Sequence, residues 1–333
     1  MRIVLDAMGS DTYPIPEVHA ALEAHKLWGE PILLIGPQTE LETVFADIGG
    51  DLNAVEIIHA PEVLQMTDKP AQAARGKAET SMAVGMDLLK EGKADAFVTA
   101  GNTGGAMATA LFRLGRIRGI KRPALAIAFP VQDGYSVMLD IGANTDCRPE
   151  YLLQFALMGA VYVSQVFNKI SPRIGLLSNG EEPGKGNMLV KETYPLLEAS
   201  GLNFIGNVEP KEIFAGEVDV VISDGFDGNV FIKTSEAVSK FLIEIIRDQI
   251  RSSAISSIGG LLAKSAFTHV RKLLDPSEYG AGPLLGVNGL VFIGHGRSDA
   301  KALVSAIRVA RQAVEGDVLE ATQSAITERI AAK

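Results

Sequence analysis

The sequence predicts an α/β protein built on a largely parallel sheet with crossover helices. Short apolar runs alternate with helical patterns along most of the 333 residues. Several runs are apolar and β-branched on consecutive positions (Val218, Val220, Val221, Ile222), as strands covered on both faces are. Glycine-rich loops follow several of these runs, and an open parallel sheet binds its ligands beyond the carboxyl ends of its strands.

In chain order, strands are expected at 2–6, 32–36, 55–60, 94–100, 124–128, 136–141, 173–178, 203–207 and 218–223. Helical stretches fall at 17–27, 81–90, 106–114, 150–167 and 187–199, and two more near 298–314 and 317–330. Residues 279–296 read as strand and loop. After Phe226 the pattern becomes helix-rich. Val238, Phe241, Leu242, Ile245, Ile246 and Ile250 recur at helical spacing, and a second stripe, Ile255 to Leu273, follows a break at Ser252 and Ser253. No repeat or low-complexity linker divides the chain. One continuous unit, 1–333, is expected, with a helical hairpin over 236–275.

Composition limits the function. Apolar residues make up 47% and charged residues 21%, a globular balance. The net charge of −9 argues against a nucleic-acid partner, which needs a basic surface. Cys147, the single cysteine, fits a reducing, cytoplasmic setting, and no Cys/His cluster points to zinc. The start lacks the apolar stretch of a signal peptide, and neither uncharged window, 151–168 or 279–296, reads as a membrane span.

Four loops carry candidate chemistry. Gly101-Asn102-Thr103-Gly104-Gly105 joins a strand to a helix N-terminus, a ready anion site, or equally a tight turn capped by Asn102 or Thr103. In Ser178 to Asn187, Lys185 stands between two glycines, where its ammonium can reach a phosphate or an oxyanion; Asn187 supplies a further polar group, and a solvated loop lysine is the alternative. In Ser223 to Asn229, Asp224 suits proton handling, Asn229 suits a carbonyl, and Gly225 and Gly228 offer backbone donors. A helix cap by Asp227 is the bland reading there, and no third acidic ligand supports a metal. In Gly294 to Asp299, His295 lies between glycines and suits proton transfer, with Ser298 a helix cap. The loops after the strands at 2–6 and 136–141 read as turns at the same sheet edge. Cys147 has no nearby histidine to activate it as a nucleophile.

Residues 249–274 hold Arg251, Lys264, Arg271 and Lys272 and no acid. With Ile258, Leu261 and Leu262 this basic amphipathic stretch reads as a contact with a membrane surface or an acidic partner, or as a dimer interface.

Taken in order, DAMGSD at 6–11, AGNTGG at 100–105, RPALA at 122–126, DIGANTD at 140–146, the Lys185-Gly186-Asn187 loop, IGNVE at 205–209, SDGFDGN at 223–229, EYGAGPLLG at 278–286 and GHGRSD at 294–299 resemble the PlsX phosphate acyltransferase family of bacterial phospholipid synthesis. The resemblance covers almost the whole chain. It implies a fold similar to isocitrate and isopropylmalate dehydrogenases and to phosphotransacetylase, and a reaction of acyl-[acyl carrier protein] with inorganic phosphate that gives acyl phosphate and free carrier, without a cofactor. It also implies a homodimer, peripheral attachment to the inner face of the cell membrane through the hairpin, and a downstream membrane glycerol-3-phosphate acyltransferase as partner. Gly259 and Gly260 depart from a firm helical tip and are expected to weaken it. Two alternatives remain at this point: an NAD-dependent decarboxylating dehydrogenase of similar fold, and a non-enzymatic scaffold for acyl carrier or membrane.

Overall fold

A computed structural model describes residues 1–331 except Asp133; the side chains of His269, Arg271, Lys272 and Pro276 also lie outside the described set. Eleven strands form one sheet: β1 Ile3–Asp6, β2 Ile32–Gly36, β3 Val55–His59, β4 Ala96–Thr99, β5 Ala124–Val131, β6 Gly134–Leu139, β7 Ile174–Leu177, β8 Phe204–Val208, β9 Val220–Ile222, β10 Ala281–Leu285 and β11 Leu290–Gly294. Their spatial order is β3-β2-β1-β4-β11-β10-β5-β6-β9-β7-β8. All nine expected strands are present. Residues 279–296 supply two more, paired antiparallel to each other at the centre of the sheet.

The helices are α1 Ile15–Trp28, α2 Gln38–Asp47, α3 Pro70–Gly76, α4 Ser81–Lys90, α5 Thr103–Arg113, α6 Pro149–Phe167, α7 Met188–Glu198, α8 Pro210–Phe214, α9 Gly225–Arg251, α10 Ala254–Leu262, α11 Lys264–Leu273, α12 Ala300–Glu315 and α13 Val318–Ala331. Short α2, α3 and α8 have little apolar periodicity and were not expected. α6 has the strongest core face of the expected helices, with Leu152, Phe155, Ala156, Met158 and Tyr162 almost fully buried against the sheet.

The sheet has two parallel halves. β3, β2, β1, β4 and β11 run one way. β6, β9, β7 and β8 run together as well. Between them the β11–β10, β10–β5 and β5–β6 pairs are all antiparallel, three reversals that set the halves in opposite directions. The loop after β1 and the loop after β6 therefore leave opposite edges, not the same edge. The sequence could not show this, because strand direction depends on partners far along the chain.

The excursion differs in detail from expectation. The helix does not fail at Gly259 and Gly260; α10 runs through both, and the break falls at Ala263. A Cβ on Gly260 would stand 2.3 Å from Ile250 Cγ2, so the glycine is what lets α10 fold back on the end of α9. No residue of α10 is buried, and Leu262 is 82% exposed.

Candidate active site

The candidate residues separate onto the two opposed edges. Asn102, Thr103, Gly104 and His295 follow β4 and β11. Lys185, Asn187, Asp224, Gly225, Gly228 and Asn229 follow β7 and β9.

At the first edge Asn102 is the cap of α5. Its Oδ1 accepts from Gly105 N at 2.9 Å, and its Nδ2 donates to Met66 O at 2.9 Å. That leaves Thr103 exposed on the first turn, at the positive end of the helix dipole. His295 stands beside it. Its ring is about half accessible (48%), with Nε2 3.8 Å from Glu236 Oε1 on α9. Arg297 pairs with the other oxygen of Glu236 at 3.3 Å. Partial burial, assisted by Arg297 and Lys233, pushes His295 below its ordinary value, and Glu236 opposes. The ring is thus mostly neutral near pH 7 and able to accept a proton. Asp299, not Ser298, caps α12, its Oδ1 accepting from Ala302 N at 2.9 Å, while Ser298 is buried.

A layer of buried acid underlies this edge. Asp6 Oδ2 accepts from Thr99 Oγ1 at 2.7 Å, and burial pushes its carboxyl up. Glu17, fully buried, accepts from Ser10 N at 2.9 Å. Its other oxygen and Ser10 Oγ have no hydrogen-bond partner among the described residues, and burial pushes Glu17 up to about 7. The same loop ties to the histidine turn through Asp11 N donating to Gly296 O at 2.6 Å.

A groove of about 390 Å³ opens from this edge, floored by β5, β10 and β11 and walled by α9. Thr103, His295 and Glu236 form its polar side. Ile127, Phe129, Phe214 and Ile232 form its apolar side. Ile141, next in sequence to Asp140, also lines it.

The second edge is closed on itself. Buried Asp140 accepts from Leu125 N at 3.0 Å, Gly142 N at 3.2 Å, Ala143 N at 3.0 Å, Asn144 N at 2.6 Å and Asn144 Nδ2 at 2.9 Å. Burial pushes its carboxyl up and these donors hold against it. Gly225 N donates to Asn144 O at 2.7 Å. A Cβ on Gly228 would stand 2.0 Å from Asp140 O, which makes glycine obligatory there. Asp224 is the cap of α9, accepting from Asp227 N at 2.8 Å, so the bland reading holds with the capping residue moved from 227 to 224. Asn229 packs over Gly142. Cys147 has no part as a nucleophile: burial, Asp140 and Asp224 push its thiol up to about 12.

Lys185 and Asn187 are exposed and outside the groove lining. Asn187 caps α7 through Val190 N at 3.0 Å. The neighbouring Lys211 is held by Glu181, Glu209 and Glu212 at 2.8, 3.1 and 3.2 Å, whereas Lys185 has no ion pair among the described residues. Arg251, Ile258, Leu261, Leu262 and Lys264 stand far along the hairpin on exposed faces; Arg271 and Lys272 lie on α11 with side chains outside the described residues.

Glu236, Lys233, Arg297 and Glu17 were missed in the sequence. Glu236 was accessible: it falls seven residues after Asn229 and four after buried Ile232, on one stripe of α9. Nothing local marks Glu17, whose burial depends on the loop above it.

Fold and groove together define an α/β protein whose sheet edge, lined by Thr103, His295 and Glu236, opens onto an apolar channel. A phosphotransacetylase from Streptococcus pyogenes superposes with TM-score 0.63 at 17% identity, covering 96% of this chain and 94% of that one. A 4-hydroxythreonine-4-phosphate dehydrogenase from Klebsiella pneumoniae superposes with TM-score 0.57 at 13% identity, over 94% and 99%. In sequence, the phosphate acyltransferase of Dictyoglomus turgidum is 50% identical over 96% of this chain and 95% of its own. The family model described as fatty acid synthesis protein matches residues 1–321, and the chain belongs to that family. It is an acyltransferase by that membership, and the dehydrogenase and scaffold alternatives are not favoured. No described helix is long and apolar enough to cross a membrane.

Proposed function

We propose that this enzyme transfers a fatty acyl group from acyl carrier protein to inorganic phosphate. The observation that carries the reading is one groove with an anion-tolerant side, Thr103 and His295 at the α5 N-terminus, and an apolar side on β5 and α8. Phosphate sits at the polar side, facing the α5 N-terminus, with Arg297 offsetting the neighbouring Glu236 carboxylate. A phosphate oxygen attacks the thioester carbonyl, the new C–O bond forms, the C–S bond breaks, and the carrier leaves as a thiolate that takes up a proton. His295 takes the proton that a phosphate monoanion sheds. Holding the reactants in line supplies most of the acceleration, since phosphate needs no strong base and thiolate leaves readily. The thiol of Cys147, held protonated, supports direct attack without an acyl-enzyme. Asn102 fixes the α5 turn. Asn229, packed over Gly142, and the Asp224 turn support the Asp140 loop that brings Ile141 to the groove. Lys185, exposed and without an ion pair among the described residues, steers the acidic carrier together with the basic hairpin.

The exposed apolar residues of α9 and α10 support two further proposals. The α9 face (Val238, Phe241, Leu242, Ile245) forms a homodimer. The α10 tip rests on the inner face of the cell membrane, which places the product near a membrane glycerol-3-phosphate acyltransferase.

The reaction is tested by mixing enzyme, acyl carrier thioester and phosphate and following free thiol, with hydroxylamine to trap acyl phosphate. Release that depends on phosphate is expected. Release without phosphate would mean a thioesterase, and none at all would remove the reaction.

A further inference from the structure

We infer that the groove under α9 holds the acyl chain itself, and that Ile127 on its floor and Ser239 on its wall set the chain length accepted. The inference rests on the acyl-transfer reading and adds to it where the chain lies and what measures it.

The argument comes from the lining and its order across the sheet. From β4 and β11 come Thr103 and His295; two strands beyond β11, β5 contributes Ile127 and Phe129, and Phe214 of α8 also lines the groove. The charged and titratable lining, His295 and Glu236, lies at one side, and the body of the groove is mostly apolar with only Gln132, Ser235, Ser239 and Tyr279 among its polar side chains, so a ligand matching it has one polar end and a largely apolar body. Neighbouring strands stand about 4.8 Å apart, so the polar end and the aromatic end are separated by roughly 10 Å across the sheet, with more length along β5. That shape suits an extended alkyl chain whose carbonyl stops at Thr103 and His295. It does not suit a nucleotide, which would need polar partners along its whole length. Ile127 is half-buried although it lies on a central strand between buried Leu125 and Phe129. A central-strand isoleucine left partly uncovered is the floor of a space that something apolar fills. Across from it Ser239 is also half-buried, one turn beyond Glu236 on the groove-facing stripe of α9, and small enough to leave the passage open. The wall is completed by Leu273 and Leu274 at the end of α11, fixed by Tyr279 Oη donating to Leu273 O at 2.6 Å. The groove thus closes on the root of the same hairpin that carries the exposed apolar tip.

The test uses the full chain and two variants that narrow the groove from opposite sides, Ile127→Trp and Ser239→Phe. The second sits on a partly exposed helix position, where a larger side chain leaves the core intact. Phosphate-dependent turnover is measured with butyryl and palmitoyl carrier thioesters, and binding of the fluorescent fatty acid cis-parinaric acid is measured separately. In the wild type, kcat/KM should rise by up to about fourfold for each methylene the groove buries. Both variants should lower the palmitoyl-to-butyryl ratio by about tenfold or more with butyryl turnover kept, and should weaken parinaric acid binding in parallel. Leu262→Asp at the α10 tip should leave that binding unchanged. An unchanged ratio and unchanged probe binding in both folded variants would overturn the inference. If the wild type turned over neither thioester, the reaction would fail, and loss of probe binding in the variants would still establish the groove as the site of an alkyl chain.

Discussion

The two edges of the sheet carry loops of similar composition, rich in Gly, Asp and Asn, yet they behave as opposites. After β6 and β9 the buried acid is turned inward, while Asp146 and Asp227 stay exposed. Asp140 takes five donors and Asp224 takes the helix cap. After β4 and β11 the polar groups face outward into a groove, with Thr103 exposed and His295 half-exposed. The difference teaches that a glycine-rich loop at a strand end is a site only where its hydrogen-bonding capacity is left unspent. Satisfied loops hold the fold, and loops with unspent groups are where a ligand would bind.

The sharpest break between them is Asp140→Ala. Each buried donor left without a partner costs roughly 1–3 kcal/mol, so this change should destabilise the protein by about 3 kcal/mol or more, read from the urea midpoint. A change of under about 1 kcal/mol would mean that the second edge is not held by its own hydrogen bonds. His295→Ala is the counterpart. It should lower kcat/KM by about 10²-fold or more with little change in that midpoint, because the ring anchors nothing in the core. In the wild type the acid limb of the rate profile should fall below the ordinary histidine value of 6.5, as the depressed His295 requires. Loss of stability without loss of rate would reverse the assignment of the two edges.

Glu17 sharpens the comparison, since it holds the first edge from below. Its folded value, about 7, lies above the ordinary 4.5. The folded protein therefore keeps that proton longer than the unfolded chain. The contribution is complete below pH 4.5 and is lost as pH rises through about 7. The full swing is roughly 3 kcal/mol as an upper bound, at 1.36 kcal/mol per unit. Glu17→Gln should flatten the fall in unfolding free energy over that window, and a parallel pH curve in the variant would show that Glu17 does not cause it.

Much of this architecture was legible in the sequence. The nine strands read correctly because each is a short, dense apolar run such as Val218 to Ile222, and such runs are set locally. The central β10–β11 pair was harder, since Gly280, Gly282, Gly286 and Gly289 mask its strand pattern. The relative direction of the two halves was not legible at all, because nothing in a strand's own residues encodes its partner's direction. For the site the limit was similar. His295 and Thr103 stand out in the sequence because flanking glycines and a helix start mark them. Asp224 and Asn102 look the same in sequence whether they bind substrate or cap a helix, and only the distances to Asp227 N and Gly105 N decide for the cap. Lys185 is marked by its glycines, but not by any account of which neighbouring carboxylates are already taken.

The smallest expected effect concerns that lysine. Lys211 sits among three carboxylates while Lys185, on the adjoining loop, has no ion pair among the described residues. An exposed, unpaired ammonium acts at long range through a field that salt screens over about 8–10 Å. Lys185→Ala should therefore reduce kcat/KM for acyl carrier by up to about tenfold at low ionic strength, leave the phosphate KM unchanged, and lose most of its effect in high salt. If instead the phosphate KM rises and the defect persists in high salt, Lys185 touches the phosphate directly. The second edge would then join the first as part of the reaction site, with Asn229 and the α9 N-terminus beside it.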